Sequence, residues 1–524
     1  MEIPSKKYAF PLVFASTLML WLVLTPISEA QNETFMIEEA TIASIHAAMK
    51  GGELTAQRLV RMYLARIEAY DQTGPSLNAV ILVNPDAATR AAELDLRLEQ
   101  SGLAGTLHGI PIFLKDNVDT DDMPTTGGSL SLEGSIPLDD AFIVKRLREA
   151  GAIVLAKVNL HELATRGVTR SSLRGQTLNP YDLSRTPGGS SGGTGAAVAA
   201  NFGVMGIGTD TVNSIRSPAS ANSLVGIRPT LGLVSRGGII PVSSTQVTAG
   251  PIARTVEDAA KMLDAIAGYD PDDLVTARSV GHTVRLAGFL DKEGLNGARV
   301  GVLESFFGAG PEHEAVNRAV RGAIETMEEM GAIAVSIDEP INPDALVAEL
   351  SVHAHEYQDL LDGYLSALGP EAPVGSLEQI VRSGRHDPSI AGFFESALTS
   401  ADDVVGYQER LAGRTRLQDM VLGIMAAHRL DALVFPHQRR LTVPIGDDQV
   451  ERNGILGAAT GFPSIVVPAG FSSPAGSAPI GVPIGIKFLG RPWAESTLVE
   501  LAYAFEQATK YRRPPESVPP LSPR

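Results

Sequence analysis

Two serines and one lysine, in three separate glycine-containing segments, are the residues of this chain best suited to chemistry. Ser190 lies in the segment Gly188–Gly193 (GGSSGG), and Ser214 follows in the segment Gly208–Arg216 (GTDTVNSIR). Lys115 ends an apolar run that predicts a β-strand, so it should lie at the end of a sheet. A neutral lysine amine can take a proton from a serine hydroxyl, and the resulting hydrolytic nucleophile needs neither histidine nor a metal ion.

The loop around Ser190 has competing interpretations. A flexible linker would account for its composition, but residues 194–200 (TGAAVAA) continue directly as an alanine-rich helix. Both loop serines match the G-x-S-x-G pattern of the α/β-hydrolase elbow, which requires a strand immediately before the serine. Residues 179–187 (NPYDLSRTP) predict a turn-rich loop there instead. A loop that opens a helix is the favoured interpretation, because its free N–H groups suit a developing negative charge.

Taken together, three segments make the chain resemble the amidase signature family. They are the GGSSGG loop, the GTDTVNSIR segment and residues 109–117 (GIPIFLKDN). The similarity extends over about residues 38–510, and further family-like stretches lie at residues 124–129, 226–230 and 249–255. In appearance the chain is nearest to the branch of bacterial peptide amidases.

This resemblance implies a role for each residue of the site. Ser214 is the expected nucleophile, Ser190 the serine that relays its proton, and Lys115 the base. The expected oxyanion hole consists of the backbone N–H groups of Thr211, Val212 and Asn213. Residues expected to support the turn through hydrogen bonds, rather than to react, are Asp210, Arg216 and Ser191. No metal ion or other cofactor is implied.

The turn before Ser214 departs from the family pattern. The family usually has two glycines there, or a polar residue and a glycine, whereas this chain has Val212 and Asn213. If the turn needs a positive φ, asparagine is tolerable but a β-branched residue strongly resists it. A second departure is Val247, where the family commonly carries an acidic residue. These departures motivate an alternative in which the protein is a catalytically weakened member that only binds its ligand.

The histidines suggest two further sites. His437 follows a predicted strand end and is a candidate for the wall of the substrate pocket. His353, His355 and Glu356 resemble a set of metal ligands, but residues i and i+2 of a helix point apart. We therefore expect solvent-facing histidines and no metal site in that segment.

Short apolar runs, glycine turns and helical patterns alternate along most of the chain, which predicts an α/β fold. The resemblance implies a single large domain, residues 31–524, with a central mixed, twisted β-sheet covered by helices on both faces. Residues from about 340 to 430 show long amphipathic helical stretches and few strand signals. They predict a helical insertion that walls the substrate pocket.

Composition limits the cellular setting and the partners. The net charge of −17 argues against nucleic acid as a partner, and the lack of cysteine excludes thiol chemistry. Residues 1–30 combine a basic start, an apolar run and Ser28-Glu29-Ala30, which predicts a signal peptide cleaved after Ala30. The protein is then secreted or periplasmic, without stable membrane association. An uncleaved membrane anchor is the alternative.

The sequence thus predicts an exported serine hydrolase that cleaves amide C–N bonds other than peptide bonds through an acyl-enzyme. Its partner is a small-molecule or peptide amide substrate. Carbamates and esters are alternative substrates for the same residues, and the binding protein above is the non-enzymatic alternative. A glutaminase subunit of a tRNA amidotransferase would share the motifs, but the export signal argues against it.

Overall fold

An eleven-stranded sheet forms the centre of residues 36–521 in the computed structural model, which describes residues 1–2, 4, 35–282 and 285–521. In chain order the strands are β1 (Val80–Val83), β2 (Pro111–Lys115), β3 (Ile153–Val158), β4 (Arg170–Ser171), β5 (Gly175–Gln176), β6 (Met205–Asp210), β7 (Val225–Arg228), β8 (Thr248–Ala253), β9 (Arg299–Leu303), β10 (Ile333–Ile337), β11 (Ala432–Pro436), β12 (Ser464–Phe471) and β13 (Pro483–Leu489). The large sheet has the order β1-β3-β2-β6-β8-β7-β12-β13-β11-β9-β10, and β4 and β5 form a separate hairpin.

The sheet is mixed, as predicted. Strands β3, β2 and β6 are parallel neighbours, and so are β11, β9 and β10. The strands between these two groups pair antiparallel, from β6 through β8, β7, β12 and β13 to β11, and the edge strand β1 is antiparallel to β3. The single α/β domain with a large mixed sheet is therefore confirmed.

Helices flank this sheet. In chain order they are α1 (Ile42–Lys50), α2 (Ala56–Tyr70), α3 (Ala87–Ser101), α4 (Phe142–Glu149), α5 (Gly192–Ala199), α6 (Arg216–Ala221), α7 (Val256–Ile266), α8 (Glu314–Glu329), α9 (Pro343–Leu350), α10 (His353–Ala367), α11 (Leu377–Ser383), α12 (Ala391–Ser400), α13 (Val404–Ala427), α14 (Ile455–Thr460) and α15 (Glu495–Thr509). Every residue of the central strands β2, β3, β6, β7 and β8 is buried, whereas the edge strand β10 is partly exposed. Strands buried on both faces require cover on both faces, which the helices supply.

The segment from about 340 to 430 consists of helices α9 to α13, joined by short turns. The amphipathic stretch predicted over 345–368 is divided between α9 and α10. The break lies at Ser351, whose backbone is extended, and at Val352, whose N–H donates to Gln246 Oε1 at 2.8 Å. A bond to the sheet-side loop thus replaces a bond within the helix.

The predicted signal segment, residues 1–30, falls outside the described residues apart from positions 1, 2 and 4. Among the helices that the structure does describe, none combines the length and the apolar character needed to cross a membrane.

Candidate active site

Lys115 lies at the carboxyl end of β2, next to the parallel strand β6, with Leu114 paired to Ile207. Parallel neighbours end at the same edge of a sheet, so Thr209 of β6 comes beside the lysine. The Lys115 Nζ donates to Ser190 Oγ at 2.7 Å and to Thr209 Oγ1 at 2.8 Å. The sheet therefore joins Lys115 to the first of the two predicted serines.

The Lys115 amine is buried completely, and burial lowers its pKa from 10.5 to about 7, although the negative charge of Asp210 opposes this shift. Among the described residues no carboxylate lies within 4.0 Å of it to stabilise the ammonium form. The neighbouring Asp116 instead accepts hydrogen bonds from Thr126 and lies 3.9 Å from Lys157. An amine with a pKa near neutrality can act as a base at physiological pH.

The loop that carries Ser190 is held from several sides. The Ser190 carbonyl accepts from the His161 N–H at 2.9 Å, and the Gly189–Ser190 peptide bond is cis. Helix α5 begins directly after the two serines of the loop, as expected. Gly193 has no alternative in this loop, since a Cβ there would overlap the backbone of Asn159. Close packing against the chain, and not flexibility, accounts for this glycine.

Ser191 joins the two serine loops. Its backbone N–H donates to the Ser214 carbonyl at 3.2 Å, and its hydroxyl donates to the Thr209 carbonyl at 3.2 Å. Ser214 itself is 8% exposed, whereas Ser190 is 1% exposed. The structure therefore places Ser214 at the surface of a cavity, with Ser190 and Lys115 buried below it.

The turn before Ser214 has the properties of an oxyanion hole. Within the described part of the chain, the backbone N–H groups of Thr211, Val212 and Asn213 donate to no acceptor. None of these residues has a positive φ, so the β-branched side chain of Val212 is compatible with the turn. The conformational objection raised by the sequence therefore does not apply, and three unsatisfied donors remain available for negative charge.

A buried ion cluster fixes this turn. The Asp210 carboxylate receives two bonds of 3.0 Å from the guanidinium of Arg216 and a further ion pair of 3.1 Å from Arg228. Its Oδ2 also accepts from the N–H of Ile215 at 3.0 Å, and Arg216 donates to the Val212 carbonyl at 2.6 Å. The two arginines hold the pKa of Asp210 far below its usual value, against the effect of burial. Asp210 and Arg216 thus act on the backbone around Ser214, which is the supporting arrangement expected from the sequence.

A cavity of about 360 Å³ opens above Ser214. The oxyanion turn forms part of its lining, and the remaining wall comes from three places in the chain: residues 164–166, the segment 344–353 at helices α9 and α10, and residues 449–452. Charged groups on this wall are Arg166, Asp344, Glu451 and Arg452. The helices of the segment 340–430 therefore contribute directly to the pocket, together with loops that the sequence did not single out.

The expectation of solvent-facing histidines on α10 is wrong. His353 lines the cavity and stacks on Phe393 at 5.4 Å, and burial lowers its pKa to about 4. His355 is half-buried against Tyr407. Glu356 is buried and accepts hydrogen bonds of 2.8 Å from the hydroxyls of Thr245 and Tyr407. Helix α10 packs against the loop after β7, so both sides of this helix are covered.

His437 does not line the cavity, contrary to the sequence-based suggestion. It is fully buried behind the site, where its N–H donates to the Gly485 carbonyl and its carbonyl accepts from the N–H of Asn453. Burial and the nearby Lys487 hold its pKa well below the usual value. Val247 is also buried and makes no contribution to the wall.

Three participants were missed by the sequence reasoning. Thr209 and Arg228 stand within segments quoted for their similarity, but only the pairing of β6 with its neighbours shows their contacts with Lys115 and Asp210. Arg452 carried no signal, because its loop reaches the pocket only through tertiary folding. Sequence distance hides such residues, since each is far along the chain from the partners it meets or lacks a recognisable motif.

Comparison with known proteins agrees with this geometry. The family model described as Amidase matches residues 58–499. A probable amidase of Arabidopsis thaliana is 36% identical over 509 residues, which is 93% of each chain, and a glutamyl-tRNA(Gln) amidotransferase subunit from Caldanaerobacter subterraneus subsp. tengcongensis is 32% identical over 91% of this chain and 98% of its own. The native peptide amidase of Stenotrophomonas maltophilia has a similar structure, with a TM-score of 0.84 and 40% identity, covering 91% of this chain and 98% of that one. The chain belongs to the amidase signature family, whose hydrolases cleave amide bonds.

Proposed function

We propose that this protein hydrolyses amide C–N bonds other than peptide bonds through an acyl-enzyme on Ser214. The observation that carries this proposal is the buried amine of Lys115, which lies 2.7 Å from Ser190 Oγ and has no carboxylate partner within the described residues. Such an amine is uncharged near neutral pH and can accept a proton. A structural lysine would be expected to hold a carboxylate instead.

The proposed reaction uses each group of the site once in each direction. Lys115 takes the proton of Ser190 as Ser190 takes the proton of Ser214, and Ser214 Oγ attacks the amide carbon. The carbonyl oxygen becomes negative and is bound by the free N–H groups of residues 211–213. The C–N bond then breaks, and the leaving nitrogen receives a proton through Ser190. Water repeats the sequence on the acyl-enzyme, which releases the acid and restores Ser214.

Organic and peptide amides are the proposed substrates. The similarity to a peptide amidase supports a peptide whose carboxyl end is an amide, because that substrate presents a small leaving group at the end of a longer acyl part. Carbamates and esters remain alternative substrates for the same nucleophile. The competent conformation of residues 211–213 favours an enzyme over the binding-protein alternative.

Replacement of the nucleophile tests this function. In Ser214→Ala, release of ammonia from a panel of peptide amides, aryl amides, carbamates and esters should fall to background, and a fluorophosphonate probe should no longer label the protein. Ser217→Ala is the matched control, since this buried hydroxyl lies in the next turn and donates to Gln438 Oε1 at 2.8 Å. It should retain labelling. Full turnover by folded Ser214→Ala protein would refute the proposal.

Export is a separate proposal, supported by the basic start and apolar run of residues 1–30. Fractionation of cells that express the full chain should recover the protein outside the cytoplasm. Amino-terminal sequencing of that material should begin at Gln31. Recovery in the membrane fraction with an intact amino terminus would favour the anchored alternative.

A further inference from the structure

Arg452 is the starting point, because its positive charge is not neutralised where it stands. Its side chain lines the cavity together with Ser214. In the described part of the chain, no carboxylate lies within 4.0 Å of its guanidinium, and its one hydrogen bond is a long contact of 3.5 Å with the Gly189 carbonyl. Asp210 is among the nearest negative charges, but this carboxylate is already shared by two other arginines.

The other charged groups of the cavity wall differ from Arg452 in this respect. Arg166 is paired with Asp448 at 3.2 Å. Asp344 accepts two bonds from Arg439, of 2.6 and 2.7 Å. Glu451 lies 3.1 Å from Arg440 and 3.2 Å from His313, so it is also compensated. Among the described residues of the wall, an excess positive charge therefore remains at Arg452.

The position of the guanidinium is set by the surrounding backbone. Any Cβ on Gly167 would overlap the Arg452 guanidinium, so the absence of a side chain at position 167 creates its place. The backbone of Arg452 also forms a bridge with that of Gln438. A side chain held in this way loses little conformational entropy when it binds a ligand.

We propose that Arg452 binds a carboxylate in the acyl part of the substrate, so that the enzyme prefers amides of acyl groups that carry a second, acidic function. This proposal rests on the proposed amide hydrolysis at Ser214. A partly buried guanidinium without a counter-ion is costly, and a carboxylate supplies both the charge and two parallel acceptors. The net charge of −17 repels anions over most of the surface, so the preference has to arise locally, at this residue.

Matched peptide amides test the preference. One pair is the α-amide of N-acetyl-glutamate against that of N-acetyl-methionine, which has similar length and no charge. The second pair places the same two residues one position earlier, before an alanine amide. We expect kcat/KM to favour the acidic member of at least one pair, and this ratio to fall about tenfold or more in Arg452→Gln, as loss of a charge-assisted hydrogen bond implies. Most of the change should be in KM.

Two further variants separate recognition from structure. Arg452→Lys keeps the charge and should retain part of the preference. Arg166→Gln removes a pocket arginine that is already paired with Asp448, and it should leave the acidic-to-neutral ratio within about threefold of wild type, as expected for an exposed pair. An equal loss on both members of each pair in Arg452→Gln would mean that Arg452 only supports the loop of Ser190, and would overturn the proposal.

Binding to the Ser214→Ala protein gives a readout that does not depend on turnover. Calorimetry should show tighter binding of the acidic amide than of its neutral partner, and Arg452→Gln in the same background should abolish the difference. Equal affinities would refute carboxylate recognition even if all four amides are hydrolysed by the wild type. A wild type that binds the acidic amides preferentially but releases no ammonia, and is not labelled by the fluorophosphonate, would instead contradict the amidase proposal alone.

Discussion

Replacing Lys115 by methionine should abolish activity and, at acidic pH, stabilise the protein. The side chains have similar length, so the volume at the end of β2 is kept. The variant loses the base, which removes the route by which Ser190 and Ser214 are deprotonated. It also removes an amine that is buried completely and has no carboxylate within 4.0 Å among the described residues.

The magnitude follows from the pKa of about 7 for Lys115, against 10.5 for an exposed lysine. Below pH 7 both the folded and the unfolded chain bind the proton, and the lowered pKa costs the folded state about 5 kcal/mol. The variant avoids this cost but loses the hydrogen bonds to Ser190 and Thr209, together worth about 2 kcal/mol. The free energy of unfolding at pH 6 should therefore rise by about 3 kcal/mol in the variant.

The pH dependence has a definite sign. Between pH 7 and 10.5 the unfolded chain still binds a proton that the folded chain has released, so the stability of the wild type increases with pH. At pH 9 the remaining cost of the lysine is about 2 kcal/mol, and the two proteins should be nearly equal. The kcat/KM of the wild type should rise as pH increases through about 7, because the neutral amine is the active form.

Urea denaturation at pH 6 and 9, together with ammonia release from a peptide amide at pH 5–9, measures these effects. Lys157→Met is the matched control, since this lysine is also fully buried but lies 3.9 Å from Asp116. Its removal leaves a buried carboxylate without a counter-ion and should destabilise the protein. A Lys115→Met variant that is less stable than wild type at pH 6, or an activity that falls as pH rises through 7, would refute the assignment of a neutral base.

Two other substitutions test the turn that carries Ser214. Asp210→Asn leaves two buried arginines without a counter-ion, so the midpoint of urea denaturation should fall by an amount equivalent to about 3 kcal/mol or more, and an unchanged midpoint would contradict the supporting role. Gly454→Ala places a Cβ against the Val212 carbonyl and the Asn213 side chain, and it should lower kcat by at least about tenfold by displacing the oxyanion donors. Gly423→Ala, on α13 where a Cβ meets open space, is its control and should retain normal kcat.

The pattern of the sequence predicted the fold class where apolar runs were continuous. The run before Lys115 forms β2, and the glycine loop opens α5, close to the predicted bounds. Strand β8 was not recognised as a strand, because Gly250 and Pro251 interrupt its apolar pattern. Proline lacks the N–H that a central strand normally donates. In the structure Pro251 pairs with Ile207 inside the sheet, so tertiary packing overrides the local preference.

The sequence by itself determined the chemical groups of the site and their family. Lys115, Ser190 and Ser214 stand in local motifs whose glycines and neighbouring residues suit tight loops at the end of a sheet. The tertiary structure decided which charges are compensated: Asp210 by two arginines, Lys115 by none, and Arg452 by none within the described residues. Whether a charge has a partner depends on distances of a few ångströms between segments far apart in the chain. Burial sets its cost, so neither property can be read from spacing along the sequence.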